Sequence, residues 1–404
     1  MFTDTALPHS IPTPTMPTVK DSSGKVWLNA DEPDDEYALF CSETIPPKVP
    51  GTVRIWVDGC FDMLHFGHAN ALRQARRLGD ELFVGCHSDE EVIRFKGPPI
   101  MHAEERYEAL RACKWVDYVV ENYPYCTRLK DVERFEIDYV VHGDDISVDL
   151  NGRNSYQEII DAGKFKAVKR TEGISTTDLL RRMLLCTKNH VLKSVDEVQL
   201  ENSLLERSSS MHCLTTSRKI VQFSNNSCPQ SGDRIVYVDG SFDLFHIGHI
   251  RVLQKARELG DYVIVGVYED QVVNELKGKN YPIMNLNQRV LGVLSCRYVD
   301  EVVMGVPFDV SKDIIDELHV DAVVDGQFSD LMAPEGGSQR YEVPKAMGIY
   351  HEVDSGCALS MDSLISRVVE NRLAFLKRQA EKQIKDKQSQ EKKPDEYRNV
   401  REVS

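Results

Sequence analysis

The chain carries a near copy of its own most distinctive stretch. Residues Val57 to His68 read VDGCFDMLHFGH, and 181 positions on, Val238 to His249 read VDGSFDLFHIGH. A repeat of this kind means that the chain is built twice, so one supersecondary unit has to serve in two places. In each copy a β-branched run (Val53, Ile55, Val57; Ile235, Val236, Val238) leads to a glycine (Gly59; Gly240). An apolar stripe of helical period follows (Ala71, Leu72, Ala75, Leu78; Val252, Leu253, Ala256, Leu259). The pattern predicts strand, turn and helix, with His-x-Gly-His at the helix entrance.

A helix entrance suits an anion, because its first N–H groups have no intrahelical partner and the macrodipole adds partial positive charge. His65 and His68, and again His246 and His249, are three residues apart and so fall on one side of a turn. Gly67 and Gly248 between them leave room for a backbone to approach. Such a pair could grip a phosphoryl group as charge grows in a transition state. It could equally be a helix cap or half of a metal site. Recurrence in both copies, with no third ligand at metal spacing, favours the phosphoryl reading.

The parallel continues. FVGCHSDEEVIRFKG answers to VIVGVYEDQVVNELKG, so Lys96 matches Lys277, and Arg106 then matches Arg289. Alternating strands and helices of this length predict a parallel sheet in each half, with ligands beyond the carboxyl ends of the strands. A further strand runs into His142-Gly143-Asp144-Asp145. KRTEGISTTDLL then gathers Arg170, Thr171, Gly173, Ser175, Thr176 and Thr177 before a helix. Hydroxyls there could be simple caps, but an arginine, a glycine and three hydroxyls also suit a phosphate-reading loop. Aligned at a spacing of 184, the second copy places Asp354 opposite Arg170 and Leu359 opposite Ser175, and keeps Ser360 and Asp362. The expectation is one working site and one altered one.

Composition bounds the rest. A net charge of −15 argues against broad nucleic-acid binding. No apolar run reaches the roughly 18–20 residues needed to span a bilayer, so no integral membrane association is expected. Ten cysteines, scattered singly, fit reduced thiols in the cytoplasm; Cys60 has Ser241 as its counterpart, which makes a nucleophilic thiol improbable. Eight of the seventeen prolines and the acidic run from Asp31 fall in the first fifty residues, read here as a disordered extension. The expected organisation is a first domain over 51–190, a Ser- and Asn-rich linker over 191–233, a second domain over 234–376 and a charged helical tail over 377–404.

HFGH (65–68), HIGH (246–249), the FKG and LKG lysines, EERYEAL (104–110) and RTEGISTTDL (170–179) resemble the cytidylyltransferases, a branch of the HxGH nucleotidyltransferase superfamily. Two domains in one chain, with HGDD and GRNSYQEIIDAGKF in the first and KGKNYPIMN in the second, are similar to the branch that takes phosphoethanolamine. The resemblance implies an α/β fold of two tandem Rossmann-like parallel-sheet domains joined by a flexible linker. It implies the reaction of CTP with phosphoethanolamine to CDP-ethanolamine and pyrophosphate, in phosphatidylethanolamine synthesis, with Mg2+ accompanying CTP. By the same likeness His65, His68, Lys96 and Arg170 would be catalytic. Gly59, Cys60, Phe61, Gly67, Arg106, Gly143, Asp144, Asp145, Thr171, Gly173, Ser175, Thr176 and Thr177 would line the nucleotide. In the second domain Gly240, Ser241, Phe242, His246, Gly248, His249, Lys277, Gly326, Ser360 and Met361 would do so. No residue is assigned to a metal. The expected setting is cytoplasmic, at most peripheral to the endoplasmic reticulum, with the two domains paired and a homo-oligomer open. Other alcohol phosphates, phosphocholine first, remain alternative acceptors, and a purely regulatory nucleotide-binding role remains an alternative for the second domain.

Overall fold

A computed structural model describes residues 19–32, 34–145, 148, 153–186, 217–327, 339–371, 373–375 and Glu402. Three short strands come first: β1 (Val19–Lys20), β2 (Val26–Trp27) and β3 (Phe40–Cys41). The first domain then runs β4 (Arg54–Gly59), α1 (Phe66–Arg76), β5 (Glu81–His87), α2 (Asp89–Lys96), α3 (Ala103–Arg111), β6 (Tyr118–Tyr123), α4 (Leu129–Arg134), β7 (Tyr139–Gly143), α5 (Gln157–Asp161), β8 (Phe165–Val168) and α6 (Thr176–Cys186). A helix α7 over 217–223 precedes the second domain. That domain repeats the series as β9 (Ile235–Gly240), α8 (Ile247–Glu258), β10 (Tyr262–Val267), α9 (Asp270–Lys277), α10 (Leu286–Leu294), β11 (Glu301–Met304), α11 (Lys312–Glu317), β12 (Ala322–Gly326), α12 (Glu342–Met347), β13 (Tyr350–Val353) and α13 (Met361–Glu370).

The sheets are ordered β1-β2-β3-β6-β5-β4-β7-β8 and β11-β10-β9-β12-β13. From β4 onward every pairing is parallel, as the alternation of strand and helix predicts. Strand β4 is central and covered on both faces: Ile55 and Val57 pack with Leu72 and Ala75, and Trp56 with Phe83, Phe135 and Val140. Its neighbours β5 and β7 lead away in opposite directions, which opens a crevice at its carboxyl end. Strand β9 stands in the same place in the second sheet.

The two domains pack about an approximate two-fold axis. Helix α1 meets α10, α3 meets α8, and the equivalent helices α6 and α13 meet each other. Phe66, Met101, Leu180 and Met183 share one core with Ile247, Met284, Leu291 and Leu364. Each such side chain contributes roughly 1.5–3 kcal/mol on burial. Near the axis Lys114 N–H donates to Ser295 O at 3.0 Å and Arg297 N–H to Ala112 O at 2.8 Å. Arg251 forks onto Glu108 at 2.7 and 2.8 Å, and Arg367 onto Glu105 at 2.6 and 2.8 Å. The expected pairing of domains within the chain is thus built from apolar helix faces rimmed by ion pairs.

Two expectations about the flanks change. From residue 19 on, the N-terminal segment is not a disordered extension: β3 pairs antiparallel with β6, and Val26, Leu28 and Leu39 are buried. Its acidic run is complementary to the basic face of α4. Arg134 reaches Asp31 at 2.6 Å and also Glu32, while Arg128 and Lys130 reach Asp35 at 2.7 and 2.9 Å. The linker region also ends in structure, since Phe223 in α7 is buried edge-on against Trp115 at 4.8 Å. The helical tail lies outside the described residues except Glu402, whose carboxylate accepts from Asn70 and Arg73 of α1. No helix among the described residues is long and apolar enough to cross a membrane.

Candidate active site at the entrance of helix α1

His65 is the N-cap of α1, with extended backbone at φ −119° and ψ 169°. It does the work usually given to Ser or Asp. Its Nδ1 accepts from Gly67 N–H at 3.1 Å and His68 N–H at 3.4 Å, while His68 Nδ1 faces the His65 N–H at 3.4 Å. This reciprocal capping box uses two imidazoles. Because both Nδ1 atoms accept, both rings carry their proton on Nε2, on the side away from the helix backbone. The rings stack at 3.9 Å and 16°. A Cβ on Gly67 would come within 2.8 Å of Ile174 and 2.9 Å of His65 Cε1, so only glycine lets the loop around Ile174 lie across the entrance.

The turn before the helix holds left-handed non-glycine residues, Phe61 (φ 49°) and Met63 (φ 50°). Such residues cost on the order of 1–3 kcal/mol each and persist where their surroundings hold them. Two groups hold them here. Asp62, absent from the sequence-based candidates, accepts from Ile100 N–H and Met101 N–H at 2.9 Å each. Arg106, expected to line the nucleotide, is instead fully buried beneath the turn; it donates to Cys60 O at 2.7 Å, Met101 O at 3.2 Å and Asp89 at 2.9 Å. Arg106 positions the Gly59–Cys60–Phe61 backbone rather than facing the crevice. Cys60 is itself buried.

The loop after β8 folds back over the crevice. Gln74 Nε2 donates to Lys169 O and Asn70 Nδ2 to Thr171 Oγ1, both at 2.9 Å, so α1 carries the loop that closes over it. Asp144 accepts from Arg170 N–H at 3.0 Å, and Arg170 Nη1 reaches Asp145 at 2.9 Å. Ser175 Oγ caps α6 through Asp178 N–H, Thr176 Oγ1 donates to Asp62 O at 3.0 Å, Gly173 takes φ 81°, and Thr177 lies in the first turn of α6. Burial acts to raise the Asp145 pKa, but His142, Arg170 and Lys96 outweigh it and hold it below the usual carboxylate value. Lys96 therefore lies within electrostatic reach of this loop, with its Nζ 5.4 Å from the centre of the Tyr125 ring. The expected histidines, lysine, Gly143–Asp145 turn and closing loop converge on one crevice.

A deeper recess escaped the sequence reading. At the carboxyl end of β4, Asp58 is buried and accepts from Trp56 Nε1 at 2.9 Å, Tyr156 OH at 2.6 Å and Thr127 Oγ1. His87 and Tyr125 face each other beside it at 5.3 Å, and Phe95 stacks on Tyr125 at 4.1 Å. Burial pushes the His87 imidazole down to about 4, against the opposing pull of Asp58. Ser155, next to Tyr156 in the chain, has its Oγ buried without a hydrogen-bond partner among the described residues. A buried carboxylate walled by rings suits a small organic cation.

The second domain repeats the helix entrance closely. His246 Nδ1 accepts from Gly248 N–H at 3.1 Å, His249 Nδ1 faces His246 N–H at 3.2 Å, and the rings lie 4.0 Å apart. Phe242 and Leu244 repeat the left-handed turn at φ 49° and 48°, Asp243 repeats Asp62, and Arg289 repeats Arg106 by donating to Ser241 O. Lys277 lies over the Tyr281 ring at 5.2 Å, and Gly326 ends β12. The closing loops, however, pair differently from the expected spacing of 184. Strand register places Val168 beside Gly143 and Val353 beside Gly326, and Ser175 and Ser360 are both helix N-caps, so the spacing is 185 throughout. Asp354 then stands opposite Lys169, Ser355 opposite Arg170, Leu359 opposite Ile174, and Met361 opposite Thr176. Met361, expected near a nucleotide, is wholly buried in the core. The hydroxyl cap is kept and both cations are lost.

Among the described residues no group of three His, Cys, Asp or Glu side chains converges as a metal site. A family described as cytidylyltransferase-like matches residues 56–182 and 237–351. The ethanolamine-phosphate cytidylyltransferase of Dictyostelium discoideum is 52% identical over 83% of this chain and 95% of its own length. The mouse protein of the same name is 43% identical over 84% and 92%. Choline-phosphate cytidylyltransferase 2 of Arabidopsis thaliana is 42% identical, but over 36% of this chain and 49% of its own length. The chain thus belongs to the cytidylyltransferase-like family and, within it, to the tandem-domain ethanolamine-phosphate cytidylyltransferases.

Proposed function

We propose that the first domain performs the transfer and the second supports it. The chain transfers the cytidylyl group of CTP to phosphoethanolamine, giving CDP-ethanolamine and pyrophosphate. A phosphate oxygen of phosphoethanolamine attacks the α-phosphorus, and the bond to the bridging oxygen of pyrophosphate breaks opposite it. No covalent enzyme intermediate is needed. The catalytic contribution is position and charge neutralisation.

The observation that carries the assignment is the pair of Nε2-protonated imidazoles beneath a cation-bearing loop. With each Nδ1 engaged at the helix backbone, Nε2 of His65 and His68 would meet the α-phosphate where its charge grows. Lys96 lies over the Tyr125 ring of the Asp58 recess and within electrostatic reach of Asp145, where a cation would draw the two phosphates together. Lys169 and Arg170 would turn from Asp144 and Asp145 to the triphosphate as the loop closes, and Gly143, Asp144 and Asp145 would then face the base and ribose. Asp58, with the Tyr125 and Tyr156 rings, would hold the ammonium of phosphoethanolamine. Magnesium would arrive with CTP on its phosphate oxygens, since hard cations of this kind bind triphosphates with few protein ligands.

The test is an assay of the full chain with labelled CTP and either phosphoethanolamine or phosphocholine, repeated with Asp58→Asn. Phosphoethanolamine should be strongly preferred, and Asp58→Asn should raise its KM by about 10-fold or more, the scale of a lost charged contact. Equal use of phosphocholine, or an unchanged KM in the variant, would remove the Asp58 assignment.

A further inference from the structure

The counterpart of the Asp58 recess in the second domain holds an arginine side chain. Tyr341 precedes α12 as Tyr156 precedes α5, and its OH donates to Asp239 at 2.8 Å as Tyr156 OH does to Asp58. Tyr268 stands for His87 and Phe308 for Tyr125, at a ring separation of 5.7 Å against 5.3 Å. The residue before each tyrosine differs. In the first domain it is Ser155, with its Oγ buried and unmatched; in the second it is Arg340.

Arg340 fills the recess. Its Nη2 lies 3.1 Å from Asp239 Oδ1 and 3.2 Å from Asp239 O. Its guanidinium carbon lies 4.5, 5.2 and 5.6 Å from the ring centres of Tyr341, Phe308 and Tyr268. All three are within the range at which a ring face attracts a cation. The Asp239 side chain is 0% exposed and also accepts from Tyr268 OH at 2.5 Å and Tyr341 OH.

We propose that Arg340 is a built-in replacement for the acceptor's ammonium group, which seals the second domain against amino-alcohol phosphates. The proposal rests on the reading of Asp58 as the ammonium site of the first domain. A tethered guanidinium meets Asp239 at an effective concentration that a free metabolite does not match. To admit a substrate, Arg340 would have to leave a carboxylate and three rings and carry its charge out of a buried place. The second domain therefore lacks an acceptor as well as a complete closing loop. The identity of one side chain, serine or arginine, decides whether the recess binds or is already full.

Equilibrium dialysis of labelled phosphoethanolamine against the full chain, with a non-hydrolysable CTP analogue present, tests this. Wild type should hold one equivalent per chain and Asp58→Asn none. Arg340→Ser should gain a second, weaker equivalent, lost again when Asp239→Asn is added. Two equivalents on wild type would overturn the proposal without any variant. So would an Arg340→Ser chain that melts as wild type does yet holds only one. One equivalent on both wild type and Asp58→Asn would overturn instead the acceptor reading of Asp58, from which the proposal starts. Should Arg340→Ser fail to fold, the wild-type and Asp58→Asn measurements still decide.

Discussion

The two helix entrances of this chain are nearly the same object, yet their surroundings are not. Both have a reciprocal imidazole cap, a left-handed turn held by an aspartate and a buried arginine, and a lysine at the end of the next helix. The first is overlooked by a loop bearing Lys169 and Arg170, and beside its Asp58 recess the residue before Tyr156 is a serine whose Oγ has no hydrogen-bond partner among the described residues. The second has Asp354 and Ser355 on that loop and an arginine in that recess. On the proposed reading, the histidine motif sets up an anion site in both. On the same reading, transfer also needs a loop that neutralises and an acceptor recess that no side chain fills.

The largest expected effect separates the entrances themselves. His65→Ala or His68→Ala should lower kcat by about 10²-fold or more, the scale for removing a preorganised donor. The double change His246→Ala, His249→Ala should leave kcat within about twofold, because uncharged-donor losses away from the reacting atoms carry no transition-state term. Comparable losses from both would make the sites equal or strictly coupled. The lysines should separate next: steady-state kinetics of Lys96→Ala should show KM for CTP rising as kcat falls, roughly 10-fold or more in kcat/KM. Lys277→Ala should move neither.

Smaller effects sharpen the rest of the comparison. Arg367→Ala unpairs Glu105 at the domain interface, where both side chains are partly shielded at 26% and 14% exposed. A loss of about 1 kcal/mol would lower Tm by about 2–4 °C, measurable by calorimetry. The last effect concerns pH. His87 is neutral in the fold, with its pKa lowered to about 4 by burial, whereas an unfolded histidine titrates near its ordinary 6.5. Its contribution is complete above about 6.5 and is lost as pH falls towards 4, because the unfolded chain then gains the proton that the folded one refuses. Over that interval wild type should lose more stability than His87→Gln; equal losses would mean that His87 is not held neutral. The second domain has Tyr268 at this position, but there burial lowers the His249 imidazole to about 3, so its own pH dependence comes from the helix entrance instead.

What was legible in the sequence was contiguous. His65 and His68 sit within one helical turn, and the strands of each sheet are β-branched runs, so repetition and period were enough to place them. The Asp58 recess was not legible, because Thr127 and Tyr156 come from the loops after β6 and β7 and meet Asp58 only when the sheet forms. The loop pairing slipped by one residue because matching Asp178 with Asp362 looked better on paper than matching two serines. Only the caps, Ser175 and Ser360, reveal the register. The N-terminal strands were hidden by shortness and acidity: β1, β2 and β3 have two residues each, and their charges make sense only against Arg128, Lys130 and Arg134.

The approximate two-fold axis has one more consequence, and it concerns inheritance. When two identical chains pair through such faces, a single codon specifies both sites, and a change that spoils one spoils the other. Here α1 rests on α10 and α3 on α8 within one polypeptide, so each site has its own codons while the mechanical dependence remains. One entrance could therefore be relieved of chemistry, its loop stripped of cations and its recess filled, without the other losing the surface it leans on.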